Sequence, residues 1–201
     1  MCYNEIGEKV KSIITNNEKE YIINKSKFIT KIYKVTTEKQ IVDILDNIKK
    51  EYKDSTHICY AYIIDNIKRF NDDGEPGGTA GMPILNVLEN NELNYVFAVV
   101  IRYFGGIKLG AAGLIRAYSK GVANAIKENQ LKELVKGINL DITFNWESLK
   151  QIDYLLRDVK INEKTFLDSI KYNIDIPDDL LEVIISKVNS YEIIKDIYIE
   201  K

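Results

Sequence analysis

Residues 93–110 read Leu93-Asn-Tyr-Val-Phe-Ala-Val-Val-Ile-Arg102-Tyr-Phe104-Gly105-Gly106-Ile-Lys108-Leu-Gly110. From Leu93 to Phe104 the chain is almost wholly apolar and rich in β-branched and aromatic residues, the mark of a central strand covered on both faces. Two adjacent glycines end it, and a loop to Gly110 opens a helix that the apolar spacing carries to about Lys127. A buried strand that passes through a glycine loop into a helix is the pivot of the first part of the chain.

Upstream, strand and helix periods alternate. Lys27 to Val35 alternates like a half-buried strand, and Glu38 to Glu51 places Ile41, Ile44, Leu45 and Ile48 at helical spacing. His57 to Ile64 is a strand rich in Tyr and Ile, followed by a short one from Ile67 to Phe70. A loop from Asn71 to Thr79 then leads into a helix with Pro83 in its first turn, where a missing N–H costs least. Downstream come a strand, Ile138–Phe144, a helix, Trp146–Asp158, and two strands, Val159–Ile161 and Ser169–Ile176. A helix from Pro177 and a strand, Tyr191–Ile199, close a β-α-β-β-α-β order, the ferredoxin-like arrangement. The expected fold class is α+β, in two domains of 1–130 and 137–201.

The 201 residues are 45% hydrophobic and 29% charged, which leaves no room for global disorder. Cys2, Cys59 and the single histidine, His57, are too few for a disulfide framework or an ordinary structural zinc site. Any Ser-His-Asp or Cys-His chemistry would depend on His57 alone. The longest strongly apolar run, Val96 to Ile101, is far short of the roughly 20 residues a spanning helix needs. Met1 to Glu5 lacks the basic-then-apolar pattern of an export signal. The expectation is a cytoplasmic protein with no membrane partner.

Nine of the eleven glycines lie between Gly74 and Gly121, so backbone freedom is concentrated in one stretch. Charge is also uneven: residues 1–127 carry net +3 and residues 128–201 net −5. Between Ile101 and Lys127 stand Arg102, Lys108, Arg116, Lys120 and Lys127 with no acid at all. Arg116 and Lys120 are one turn apart on a helix whose buried stripe is expected to be Ile115, Tyr118, Val122 and Ile126. A solvated lysine-bearing face would look the same.

Three segments carry candidate chemistry. In His57-Ile-Cys59-Tyr-Ala61 the period of two puts His57, Cys59 and Ala61 on one strand face, an incomplete metal site. In Asn71-Asp72-Asp73-Gly74-Glu75-Pro-Gly-Gly-Thr79-Ala-Gly81, three carboxylates precede a helix start with Thr79 available as N-cap. His57 with Asp54, Asp72 and Asp73 would supply a base and hard oxygen ligands for Mg²⁺, and Glu75 joins them as a catalytic candidate. The same acids would also serve simply to brace a tight loop. In Arg102 to Tyr118, the glycines Gly105, Gly106 and Gly110, with Lys108 at a helix N-terminus, suit a phosphate or a nucleic-acid backbone. The segment is neither a P-loop nor a dinucleotide fingerprint, because both spacings are wrong.

The strings His57-x-Cys59-Tyr-Ala-Tyr62, Asp72-Asp-Gly-Glu-Pro-x-Gly-Thr-Ala-Gly81 and Arg102-Tyr-Phe-Gly-Gly-x-Lys-Leu-Gly110, with Arg116-Ala-Tyr118 after them, resemble the signature of the IMPACT/YigZ family. The likeness spans the whole chain, in the two-domain form of bacterial members. Gly77 stands where Ser is common and Ala112 where Gly is common. The resemblance implies a first domain similar to domain IV of elongation factor G, a ribosomal-protein-like fold, and a second similar to that factor's ferredoxin-like domain. It also implies work near RNA, the ribosome or other translation-machinery proteins; eukaryotic relatives restrain a translation-controlling kinase with an extra N-terminal domain. The expected function is thus a non-catalytic, translation-associated regulator that binds nucleic acid or ribosome through Arg102, Lys108, Arg116 and Lys120, with Gly105, Gly106, Gly110 and Thr79 shaping an anion site. No cofactor is expected. The alternative is an enzyme or phosphate-ligand binder using His57, Asp72, Asp73 and Glu75 with Mg²⁺.

Overall fold

The computed structural model describes residues 10–200; Cys2 lies outside them. The chain divides into two compact units, Met1–Glu133 and Leu134–Lys201.

In the first unit, β1 (Val10–Ile13) lies beside Leu93 through bonds from Lys11 N to Glu92 O and from Asn94 N to Lys11 O. Strands β2 (Asn17–Ile23) and β3 (Ser26–Lys34) form a hairpin. Helix α1 (Glu38–Glu51) starts with a capping box: Gln40 N donates to Thr37 Oγ1, and Thr37 N donates to Gln40 Oε1. Lys49 and Lys50 in its last turn suit the negative end of the helix dipole. Then follow β4 (His57–Ile64), β5 (Ile67–Asn71), α2 (Gly81–Asn90), β6 (Val96–Tyr103) and α3 (Gly110–Lys127). The sheet runs β2-β3-β6-β4-β5 and every pairing is antiparallel.

Strand β6 is the middle strand and is buried from Val96 to Arg102. Antiparallel sheets usually leave one face wet, but here both are covered. Val96, Ala98 and Val100 join Phe28, Ile32, Cys59 and Ala61 against α2 and α3. On the opposite face Phe97 packs with Tyr33 and Tyr60, while α1 is tied down through Tyr62–Glu38 and Lys31–Glu51 contacts.

The second unit contains most of β7 (Leu131–Phe144), then α4 (Leu149–Leu155), β8 (Lys160–Phe166), β9 (Ile170–Pro177), α5 (Leu181–Ile185) and β10 (Ser190–Glu200). Its strands lie in the order β10-β7-β9-β8, all antiparallel, over a core of Leu140, Ile142, Phe144, Ile152, Tyr172 and Ile174. Both helices are shorter than the apolar spacing predicts, because each begins with a separate 3₁₀ turn, Trp146–Ser148 and Asp178–Leu180. Strand β8 is longer than predicted. It is an edge strand whose Glu163 and Lys164 face solvent, so its sequence lacks the apolar signal its pairing does not need. No helix among the described residues is long and apolar enough to cross a membrane.

Candidate functional site

The loop from Asn71 to Gly81 is organised by Asp72. Its Oδ1 accepts from the N–H groups of Ala80 (3.0 Å) and Gly81 (2.7 Å), and its Oδ2 from Gly78 N–H (2.9 Å). Asp72 thus supplies the carboxylate that the N-terminus of α2 favours. Thr79, expected to cap this helix, does not: the helix starts at Gly81, and the buried Thr79 hydroxyl donates to Pro76 O at 2.6 Å. Gly81 is required where it stands, since a Cβ would lie 2.8 Å from the Asn71 backbone.

Asp73 sits at φ 42°, with Oδ2 accepting from Ile58 N–H at 2.6 Å and its own N–H donating to Asn71 Oδ1 at 2.7 Å. Its carbonyl lies 2.7 Å from His57 Nδ1. A carbonyl can only accept, so Nδ1 carries the proton and Nε2 faces Glu75 Oε2 at 3.9 Å.

Glu75 is the centre of a buried network. Its Oε1 accepts from Arg102 Nη1 at 2.5 Å and from the Tyr118 hydroxyl at 2.8 Å. Arg102 is only 4% exposed, its guanidinium lying between the rings of Phe28 and Phe104, 5.4 and 5.5 Å from their centroids. The expectation that Arg102 belongs to a basic surface is therefore corrected. It shares the inward strand face of Val100 and Ala98, and Glu75 already matches its charge. Cys59 Sγ donates to Asp72 O (3.0 Å) and lies 3.4 Å from the Tyr118 hydroxyl. Burial, with the carboxylates of Glu75, Asp73 and Asp72 nearby, pushes this thiol up to about 12, the Tyr118 bond opposing, so it stays protonated.

These bonds place both glycine loops at one end of the sheet. His57 pairs with Arg102 across β4 and β6, and Glu75 of the first loop reaches the end of the strand that opens the second. Each carboxylate named for the Mg²⁺ reading has a partner within the chain. Asp72 and Asp73 are spent on backbone N–H groups, Glu75 on Arg102, and Asp54 on the Tyr103 hydroxyl at 3.1 Å. Among the described residues no group of three His, Cys, Asp or Glu side chains is arranged to hold a metal.

The second loop is fixed from both sides. Phe104 N–H donates to Thr56 Oγ1 (2.9 Å) and Gly105 N–H to Ser26 Oγ (3.1 Å). A Cβ on Gly105 would stand 2.0 Å from the Lys25 carbonyl carbon, so only glycine fits. Gly106 and Gly110 adopt φ 84° and 69°. Helix α3 has no side-chain cap and no acid in its first turn. Its buried stripe is Leu114, Ala117, Tyr118, Gly121, Val122, Ala125 and Ile126; Ile115, expected inside, is 41% exposed because it lies one residue off that stripe. Lys108, Arg116 and Lys120 are exposed and make no ion pair among the described residues, whereas Lys27 and Lys31 on the sheet are paired with Glu20 and Glu18. Phe104 and Ile107, in the stretch that leads into α3, are 45% and 44% exposed. The sequence reading missed Ser26 and the exposure of Phe104; the polar residue directly before β3's apolar alternation and the aromatic directly after β6's apolar run are the signals for them.

The model of the Impact N-terminal domain matches residues 24–126, just over half of the chain and the whole span of these loops. The chain belongs to the IMPACT family. It is 41% identical over 156 residues to the IMPACT family member YvyE of Bacillus subtilis (strain 168), covering 73% of this chain and 72% of that protein. IMPACT family member YigZ of Escherichia coli (strain K12) is 51% identical over 59 residues, 29% of each chain. Among solved structures, the crystal structure of a hypothetical protein superimposes with a TM-score of 0.74 at 27% identity, over 90% of this chain and 92% of that one. Within the matched residues, Glu75 joins the first loop to β6 through Arg102 and to α3 through Tyr118.

Proposed function

We propose that this IMPACT family protein is a non-catalytic, translation-associated regulator that binds RNA, in ribosomes or as structured RNA, through the exposed face of α3 and the loop before it. The observation that carries the reading is the contrast between the acids and the cations of the site. Every carboxylate of the first loop is committed to a backbone N–H of that loop, α2 or β4, to Arg102 or to Tyr118. Lys108, Arg116 and Lys120 are committed to nothing among the described residues. A protonated, buried Cys59 offers no thiolate nucleophile, which suits binding and not covalent chemistry. In this reading the first unit acts like domain IV of elongation factor G and the second like that factor's ferredoxin-like domain, an argument by analogy of fold. Cytoplasmic location and translation-machinery partners belong to the same proposal.

The test is binding of a ribosomal RNA fragment to the wild type and to Arg116→Glu/Lys120→Glu, titrated with salt. With Arg102 buried, three phosphate contacts remain, giving a log–log salt slope of about −2 on single strands and about −2.7 on duplex. The double variant should lose most of the affinity and most of the slope. Equal affinity of the two proteins would refute the reading.

A further inference from the structure

The geometry points to Phe104 as a stacking platform for an unpaired RNA base, an inference that rests on the RNA-binding reading and specifies what the site takes. Two phenylalanine rings meet one guanidinium at the end of the sheet. Phe28 is fully buried, and the Arg102 guanidinium lies 5.4 Å from its centroid and 5.5 Å from that of Phe104. Phe28 is itself backed by Tyr21, stacked at 5.2 Å and 5°. The guanidinium lies over the Phe104 ring, and the residue is still 45% exposed. An aromatic ring backed by a buried guanidinium is therefore presented to solvent.

The platform is also rigid. The guanidinium is pinned by Glu75, and the backbone on each side of the ring is held, Phe104 N–H by Thr56 and Gly105 N–H by Ser26. An aromatic ring held this firmly loses little freedom on binding, which favours stacking. Its surroundings select the occupant. Lys108 follows four residues on in the same loop, Arg116 and Lys120 stand on the helix that the loop opens, and no acid intervenes between Ile101 and Lys127. An exposed π-face in a segment that carries unpaired cations and no acid matches a base attached to phosphates, and every base offers a π-face. A base within a duplex is already stacked on its neighbours, so the occupant is single-stranded or bulged RNA.

The full chain is titrated by fluorescence anisotropy against a labelled 12-nucleotide RNA, as a single strand and as the duplex with its complement. The wild type should prefer the single strand. Phe104→Ala and Phe104→Leu should each weaken single-strand binding roughly tenfold while leaving duplex binding and the salt slope unchanged, and Phe104→Tyr should retain wild-type affinity. Circular dichroism of each variant separates loss of stacking from loss of fold, and the Tyr variant keeps the test decisive if Ala unfolds. If Phe104→Leu binds as well as wild type, or if Phe104→Ala does while Arg116→Glu/Lys120→Glu does not, the platform is refuted and the charge-based reading survives. In that outcome the exposed apolar residues fit a protein partner instead. If the wild type binds neither RNA, both fall.

Discussion

Replacing Glu75 with glutamine isolates the charge at the heart of the site. Glutamine keeps the size of the side chain and a carbonyl oxygen for the Arg102 Nη1 and Tyr118 hydroxyl bonds, so the change removes little except the negative charge. Arg102 then remains buried as an uncompensated cation, its side chain 5% exposed and its other close polar neighbour, Ser26 Oγ, at 3.5 Å. Breaking a buried pair from one side typically costs about 3–5 kcal/mol, and the retained hydrogen bonds put this case near 3. With a urea m-value of about 2 kcal/mol per molar, the unfolding midpoint should fall by about 1.5 M. Circular dichroism in the tyrosine region should report mainly the first unit, which holds nine of the thirteen tyrosines. Glu75→Leu combined with Arg102→Met should lose much less than the sum of the two single changes, because it leaves no orphaned charge. A midpoint shift under about 0.3 M for Glu75→Gln, at unchanged m, would refute the claim that this pair is dry and coupled.

Other expectations follow from the same geometry. Gly105→Ala should destabilise the first unit by about 2 kcal/mol, measured by urea unfolding, because its Cβ meets backbone that cannot move aside. Cys59 should resist iodoacetamide at pH 8 in the folded protein and react once urea unfolds it; since its folded value is raised to about 12 from 9.0, its contribution to stability is full below pH 9 and is lost between pH 9 and 12. Burial raises the Asp175 carboxyl, but bonds from Lys160, Asn139 and Asn162 outweigh that and hold it below 3.8. Its contribution to the second unit is then present above pH 3.8 and fades as the pH falls through the lower folded value, and Asp175→Asn should flatten that acid limb, read by Trp146 fluorescence.

Periodicity suffices to read α1 and β4 to the residue, because each presents an uninterrupted pattern: Ile41, Leu45 and Ile48 on one helix face, and a Tyr- and Ile-rich run without glycine or proline. It fails where burial comes from a neighbour far along the chain. Arg102 reads as a surface charge because arginines usually are, and only Glu75 and the two phenylalanine rings explain why it is inside. Its spacing of two from Val100 already pointed inward. The acids of Asn71–Gly81 were legible as either loop braces or metal ligands, and the choice turns on backbone N–H directions that no sequence displays. Strand β8 escaped for the opposite reason: an edge strand has no buried face to write into its residues.

The bonds of the site are nested by how far along the chain they reach, and that sets when each is made as the protein emerges from synthesis. The Asp72 carboxylate reaches nine residues at most, a closure that costs little, so the turn into α2 can form as soon as Gly81 is available. Glu75 waits 27 residues for Arg102 and 43 for Tyr118, while Gly105 must find Ser26 from 79 residues away. Until β6 has been made, Glu75 is a solvated carboxylate on a finished turn, and the hydrogen bond from Tyr118 completes its partners once α3 follows.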